Sequence, residues 1–237
     1  MKTDIIAIVP AAGIGKRFDP SIIKTFAELE GSPLLVHTLK RLHREASITE
    51  IIPVLRQQDI EKGLKMAKDH KLGKIKRIAE GGRERQDSIY NALNLLERSG
   101  AGNDKLVLIH DGARPFIPEG TVEKLAEGLK AADGAIPGIP VRDTLKQVDD
   151  NGIAVSTLDR ERIRAVQTPQ LFSFSTLKKA YDKAYRDGHY ATDDAALVER
   201  NGGRIKIIDG SPYNIKITTP EDLDMIRHVL SGKNYNV

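Results

Sequence analysis

Five positively charged side chains and one carboxylate stand where chemistry on phosphate groups would need them. Lys16 and Arg17 follow Pro10-Ala11-Ala12-Gly13-Ile14-Gly15, a loop at the end of an unbroken apolar run over residues 5–9. Glycines let a backbone come close to a ligand, and exposed N–H groups beside two cations suit a polyphosphate. The same residues also read as a structural glycine turn with surface cations. Lys24 lies among apolar residues in Ile22-Ile23-Lys24-Thr25-Phe26 and either snorkels to water or points into a site. His110-Asp111-Gly112-Ala113-Arg114-Pro115 follows a second apolar run. An aspartate at such a strand end is placed to hold Mg²⁺ on a polyphosphate, or it belongs to an ordinary turn. Arg114 can pair with phosphate or with Asp111. Lys216 sits between Ile215 and Ile217, on the other side of a half-buried strand: a solvated position, or another cation for the phosphates.

Two familiar phosphate loops do not fit. Gly13-x-Gly15-x-x-Phe18 lacks the third glycine of a dinucleotide-binding turn, and the next strand ends in Leu55-Arg56 without a ribose-binding acid. A P-loop needs Ser or Thr after Gly-Lys, and Arg17 stands there. Gly81-Gly82-Arg83-Glu84-Arg85-Gln86-Asp87-Ser88 opens a helix and can offer backbone amides to a base or phosphate, or is a plain loop with a charged first turn. His110 reads either as a catalytic group or as a strand-end histidine with its partners satisfied, the second being favoured, and the other histidines have no metal-ligand spacing.

The elements that must carry these loops follow from periodicity. Apolar β-rich runs at 5–9, 51–55, 75–78 and 106–110 alternate with helical patterns at 34–43, 60–70, 85–97 and 122–132. That rhythm predicts an α/β fold of Rossmann-like, mainly parallel sheet with helices on both faces. Ligands of such sheets lie at the carboxyl ends of the strands, so the Gly13, Gly81 and Asp111 loops should gather at one edge. The rhythm breaks after Ile136. Runs at 144–148 and 153–158 flank Asp149-Asp150-Asn151-Gly152, a hairpin signal. A lone hairpin is marginal in water, so this protruding arm should pack on another subunit or on the body. Helices at 176–186 and 193–201, strands at 204–208 and 214–218, and a last helix from Pro220, capped by Thr219, complete the pattern.

Composition narrows the classes. The 237 residues are 40% hydrophobic and 30% charged, as in a globular protein. No cysteine is present, which excludes disulfides, thiolate zinc and cysteine nucleophiles and fits a reducing, cytoplasmic setting. The formal charge of +4 favours anionic ligands, but lysines and arginines are spread along the chain, so no nucleic-acid surface is expected. No run approaches the ~18 apolar residues of a membrane span.

Taken together, Pro10-Ala11-Ala12-Gly13-x-Gly15-x-Arg17 with Lys24, Gly81-Gly82-x-Glu84-Arg85-x-Asp87-Ser88, His110-Asp111-x-Ala113-Arg114-Pro115, Val141-Arg142-Asp143-Thr144, Thr168-Pro169-Gln170, Thr192-Asp193-Asp194 and Asn214-Ile215-Lys216-x-Thr218 occur in an order that resembles the sugar-phosphate nucleotidylyltransferases, and within them the 2-C-methyl-D-erythritol 4-phosphate cytidylyltransferases. The resemblance covers nearly the whole chain. It implies one nucleotidylyltransferase domain over 1–237, in the single-function form, with residues 139–164 as a dimerisation arm. It implies CTP and a small sugar-alcohol phosphate as substrates, and Mg²⁺ near Asp111. Arg17, Lys24 and Lys216 would be catalytic cations. Pro10, Ala11, Ala12, Gly13 and Gly15 would wrap the triphosphate, Gly82 and Ser88 would meet the cytosine, and Asp111 would lie near the ribose. Arg114, Thr144, Arg160, Thr168 and Thr192 would hold the acceptor phosphate, with Arg160 supplied by the neighbouring subunit of a homodimer. One departure stands out: Thr25 follows Lys24 where the family usually has Gln, and Ile23 precedes it where Pro is usual. A ribitol 5-phosphate cytidylyltransferase shares most of these motifs, and a non-catalytic nucleotide-sugar sensor is the reading from another class.

Overall fold

The computed structural model describes residues 4–13, 24–100 and 105–231. Along the chain these form β1 (Ile5–Pro10), β2 (Glu28–Leu29), β3 (Ser32–Pro33), α1 (Leu34–Arg44), β4 (Ile48–Leu55), α2 (Ile60–Asp69), β5 (Ala79–Glu80), α3 (Arg85–Arg98), β6 (Leu106–Ile109) and α4 (Thr121–Leu129). Then come β7 (Gly134–Pro140), β8 (Lys146–Val148), β9 (Ala154–Thr157), β10 (Arg164–Val166), β11 (Gln170–Ser173), α5 (Phe174–Arg186), α6 (Asp194–Arg200), β12 (Ile205–Asp209) and α7 (Pro220–Ser231).

The central sheet runs β10-β7-β11-β6-β1-β4-β5, with β12 on β7. Its first half is the expected parallel unit: β6, β1, β4 and β5 all point the same way. Its second half is mixed, because β11 lies antiparallel between β6 and β7. β1 explains why the strand pattern is continuous. Ile6 and Ile8 face one core, with α3, α5 and α6. Ile5, Ala7 and Val9 face the other, with α1, α2 and α4. A strand covered on both faces has no polar side to show. A smaller apolar cluster joins α7 to Leu29, Ala113 and Ile217.

Several boundaries differ from the expectation. Residues 75–78 form no strand. Ile75 and Ile78 pack on the core while Arg77 reaches back to Glu50, and only Ala79–Glu80 pairs with β4. Residues 214–218 are likewise not a strand. The alternation is present, with Ile217 buried, but the backbone contact is a single bond from Ile217 N–H to the Ala113 carbonyl at 2.9 Å. Pro10 ends β1 without donating, and Ala11 N–H continues the ladder to Val54 O. In the arm, β8 and β9 form their own antiparallel pair. The Asp149 carboxylate accepts from Asn151 N–H and Ile153 N–H, and Gly152 has a φ of +78°. This aspartate-closed loop replaces the two-residue Asn-Gly turn. The start of α7 matches its signal: Asp222 Oδ2 accepts from the backbone N–H of Thr218 and Thr219.

The first and third loops of the parallel unit meet at Gly81, where a Cβ would lie 2.3 Å from the Ala12 Cβ. Gly81→Ala should therefore lower the unfolding free energy by about 1–3 kcal/mol through overpacking. Gly73→Ala, with open space around it, should stay within about 0.5 kcal/mol. Urea denaturation of both variants checks this, and equal small losses would contradict the close approach.

Candidate active site

The three strand-end loops meet as expected. Ala11 N–H donates to Val54 O, Gly112 N–H to Pro10 O and Gly81 N–H to Leu55 O, which stitches the ends of β1, β4 and β6 into one edge. Pro10, Ala11, Ala12 and Gly13 lie on this edge, whereas Gly15, Lys16 and Arg17 lie outside the described residues. Lys24 starts a short 3₁₀ turn, and the neighbouring Thr25 hydroxyl donates to the Ala11 carbonyl at 3.2 Å. Thr25, the departure from the family pattern, thus fastens the Lys24 turn to the glycine loop.

Asp111, directly beyond β6, is the centre of the charge. Lys216 Nζ lies 2.8 Å from its Oδ2, Arg85 Nε 3.4 Å from Oδ1, and Arg114 Nε 3.6 Å from Oδ2. Burial alone would raise this carboxyl, but Arg85, Lys216 and Arg114 outweigh it and hold it well below the usual carboxylate range. Arg114 Nη1 also donates to Asn214 O at 2.6 Å, and Asn214 Nδ2 to Thr168 O at 2.7 Å. The loop after β6 and the segment bearing Lys216 are thereby pinned together.

His110 is fully buried and its hydrogen bonds fix its tautomer. Nε2 faces the Arg114 carbonyl at 2.9 Å, a pure acceptor, so Nε2 carries the proton. Nδ1 then accepts from the Thr168 hydroxyl, 3.0 Å away, and that hydroxyl accepts from Asp111 N–H at 3.1 Å. Burial is the main cause that lowers the His110 pKa to about 4. His110 and Thr168 brace the backbone of Asp111.

Arg85 carries the other half of the site. Its guanidinium makes a two-pronged contact with Asp194, Nη1–Oδ1 at 3.2 Å and Nη2–Oδ2 at 2.7 Å. Asp194 is fully buried and also accepts from the Tyr181 hydroxyl at 2.5 Å. Arg85 thus bridges two carboxylates. On the same helix start, Ser88 Oγ accepts from Gly82 N–H and donates to Glu84 O. A cleft of about 460 Å³ opens between these groups, lined by Arg85, Asp111, Arg114, Thr168, Thr192 and Lys216 among others. A second hollow of about 540 Å³ adjoins it through Arg85 and Thr192.

Not every candidate comes to this cleft. Thr144 and Arg160 belong to the exposed arm, where Arg160 Nη1 donates to Arg142 O at 2.8 Å, and neither lines the cleft. Two residues outside the candidate set prove central. Arg85 carried a signal: a cation in the first turn of a helix opposes the helix dipole and needs a compensating carboxylate. Asp194 carried only its place beside the capping Asp193, which takes Ala196 N–H.

The residues fit a divalent cation of one kind. Mg²⁺ is commonly held by one or two carboxylates together with phosphate oxygens. Asp111 supplies one carboxylate at the cleft. Among the described residues no group of three or more His, Asp or Glu side chains could cage an ion. The donor set suits a metal that arrives with phosphates.

A mixed α/β sheet with its ligand loops at one edge, and cations set around a strand-end aspartate, is the build of a nucleotidyltransferase. The model of the family described as 2-C-methyl-D-erythritol 4-phosphate cytidylyltransferase matches residues 5–231, and the chain belongs to that family. A relative of that name from Syntrophus aciditrophicus is 43% identical over 224 residues, 94% of each chain. Another, from Halalkalibacterium halodurans, is 40% identical over 95% of this chain and 96% of its own. Among solved structures, the 4-diphosphocytidyl-2C-methyl-D-erythritol synthase of Anaerococcus prevotii superposes with a TM-score of 0.83 at 30% identity, covering 97% of both chains. The 2-C-methyl-D-erythritol 4-phosphate cytidylyltransferase of Francisella tularensis gives 0.80 at 32%, over 95% of this chain and 99% of that one.

The bracing histidine sets a pH dependence. The unfolded chain takes up a proton near 6.5 and the folded protein only near 4, so between these values the unfolded state binds more protons. Stability is complete above pH 6.5 and falls as the pH drops toward 4, by about 3 kcal/mol at most. His43, lowered first by burial and then by Lys74, moves the same way. Urea denaturation across pH 5–7 should show this slope, and His110→Gln should flatten most of it. An unchanged slope in that variant would remove the assignment.

Proposed function

We infer that the chain condenses CTP with 2-C-methyl-D-erythritol 4-phosphate to 4-diphosphocytidyl-2-C-methyl-D-erythritol and pyrophosphate, in non-mevalonate isoprenoid synthesis. Family membership names the substrates. The observation in the fold that carries the reading is Lys216 Nζ at 2.8 Å from Asp111, at a cleft that Arg85 and Arg114 also line. A phosphate oxygen of the acceptor attacks the α-phosphorus of CTP, the α–β bridging bond breaks, and pyrophosphate leaves with that electron pair. The attacking oxygen is already anionic near neutral pH, so no general base is required. The buried His110, with both nitrogens engaged, is not placed to act as one. Catalysis then rests on position and charge.

In this reading Lys216 and Arg114 meet the phosphates, and Lys24 and Arg17 the triphosphate. The Pro10–Gly15 backbone wraps the triphosphate, with Gly82 at the base. Ser88 joins Gly82 there: its hydroxyl accepts from Gly82 N–H and donates to Glu84 O, which leaves one lone pair to accept from the cytosine amine. Asp111 would hold a divalent cation, Mg²⁺, which when bound offsets the charge of the phosphates. Thr192 and Thr168 border the acceptor side. Thr144 and Arg160 would reach an acceptor only from a neighbouring copy, and a homodimer through the 139–164 arm supplies it. Val148, Ile153 and Val155 are each more than half exposed on that arm, an apolar surface that a partner copy would cover. Residues 1–237 would form one catalytic domain around this cleft. The lack of cysteine suits a cytoplasmic enzyme, and no described helix is long and apolar enough to cross a membrane.

Pyrophosphate release with CTP and Mg²⁺ tests the reading. Methylerythritol phosphate should support turnover and ribitol 5-phosphate should not. Release from ribitol 5-phosphate alone would overturn the acceptor, and none from either would favour a sensor. Lys216→Ala and Lys24→Ala should each lower kcat by about 10²-fold or more. Arg160→Ala should chiefly raise the KM of the acceptor, and an unchanged KM would argue against its placement.

A further inference from the structure

Three consecutive residues at the start of α3 hold the segment 189–194. Gln86, which is almost fully buried, grips the backbone on either side of Tyr190. Its Nε2 donates to His189 O at 2.9 Å, and its Oε1 accepts from Ala191 N–H at 3.0 Å. Asp87 Oδ1 accepts from the Tyr190 hydroxyl at 2.9 Å and from the Tyr185 hydroxyl. Its Oδ2 accepts from Glu84 N–H at 2.9 Å. Arg85 takes Asp194. The same residues shape the other loop. A Cβ on Gly82 would lie 2.2 Å from the Asp87 Cβ, so the glycine is seated against Asp87, and Ser88 one residue on accepts Gly82 N–H. The first turn of α3 therefore has the Gly81-Gly82 loop on one side and the Thr192 segment on the other.

An amide that meets a backbone carbonyl and a backbone N–H two residues apart fixes both ends of the intervening residue. The neighbouring groups add a second anchor: Tyr190 is more than half exposed and reaches inward through its hydroxyl and through a tilted ring contact with Tyr185, centroids 6.3 Å apart. Thr192, two residues beyond Tyr190, borders both hollows. Its position is thus set by contacts that begin at the nucleotide loop.

We propose that Gln86 and Asp87 are positioning residues that clasp the Thr192 segment to the Gly81-Gly82 loop, so that filling the nucleotide half of the cleft orders the acceptor half. The proposal rests on the reading that the Gly82 loop takes CTP. Ordering of one segment by a ligand on the other is a coupling of sites, and it is reciprocal in binding free energy.

Hydrogen exchange on the whole protein tests this with CTP and Mg²⁺ and no acceptor, so that no reaction occurs. In the wild type, CTP should slow exchange in peptides over 80–88 and also, by about fivefold or more, over 187–193. In Gln86→Leu the slowing at 80–88 should persist and that at 187–193 should vanish. Tyr190→Phe removes one hydroxyl from a mostly exposed ring, so it keeps the test open if Gln86→Leu does not fold. It should reduce the slowing at 187–193 in the same direction. In turnover, Gln86→Leu should raise the acceptor KM by about tenfold and leave the CTP KM within about threefold, a split that general loss of structure would not produce. Slowing at 187–193 that is absent from the wild type, or complete in both variants, overturns the clasp. Absence of slowing at 80–88 in the wild type overturns the CTP reading and the clasp with it.

Discussion

Two carboxylates are taken out of water in this protein, and one guanidinium lies between them. Asp194 is fully buried and Asp111 nearly so, and Arg85 meets both. A buried charge without a partner costs several kcal/mol, and removing one member of a buried pair costs about 3–5 kcal/mol, against about 0–1 for a surface pair. The exposed bridges on the helices, such as Lys65–Asp69, belong to the second class. The Arg85 pair belongs to the first, and it dictates placement: α3 must start where its first residue reaches both the loop after β6 and the start of α6. The parallel half of the sheet and the mixed half are joined there by charge as well as by apolar contact. Around Asp111 three cations, Arg85, Arg114 and Lys216, meet one carboxylate, while Asp193 and Glu199 line the cleft further out. A protein that must bring two phosphate-bearing anions together needs such a cluster of cations.

Much of this was legible in the residues because it was local. The apolar run at 5–9 is continuous because β1 is buried on both faces, and the loops after β1, β5 and β6 gather because parallel strands place their ends together. Lys216 reaches Asp111 from between two isoleucines, as the alternation suggested, although no ladder forms there. What escaped the sequence was long-range. Gln170–Ser173 is too short and too flanked by loop residues to announce that it inserts antiparallel between β6 and β7. The partner of Arg85 lies 109 positions away, and nothing in the spacing of Asp193-Asp194 says which aspartate caps a helix and which is buried. Thr144 and Arg160 sit on the exposed arm and do not line the cleft, a separation that the chain's periodicity does not encode.

The loop beside Lys24 shows how a departure from a pattern can be absorbed. Threonine is shorter than the glutamine usual after this lysine, yet its hydroxyl reaches the Ala11 carbonyl and holds the 3₁₀ turn to the glycine loop. The threonine hydroxyl satisfies a buried carbonyl at the strand end, beside Lys24.

The electrostatics of the cleft also explain why an enzyme of this kind has no use for a titrating side chain. Asp111 is held low by its cations, Arg85 is held high by Asp194 and Asp111 against the cost of its burial, and His110 is held neutral. None of these groups changes charge in the range where an acceptor phosphate passes from its singly to its doubly charged form, near pH 6. The field at the cleft is therefore constant while the nucleophile's own ionisation varies. A general base would have to share that field with three cations, which would hold its proton affinity down and weaken it as a base. Fixed charge and a nucleophile that arrives already ionised are two sides of one solution, and the bracing of Asp111 through Thr168 and His110 keeps the fixed charge in place at the cleft.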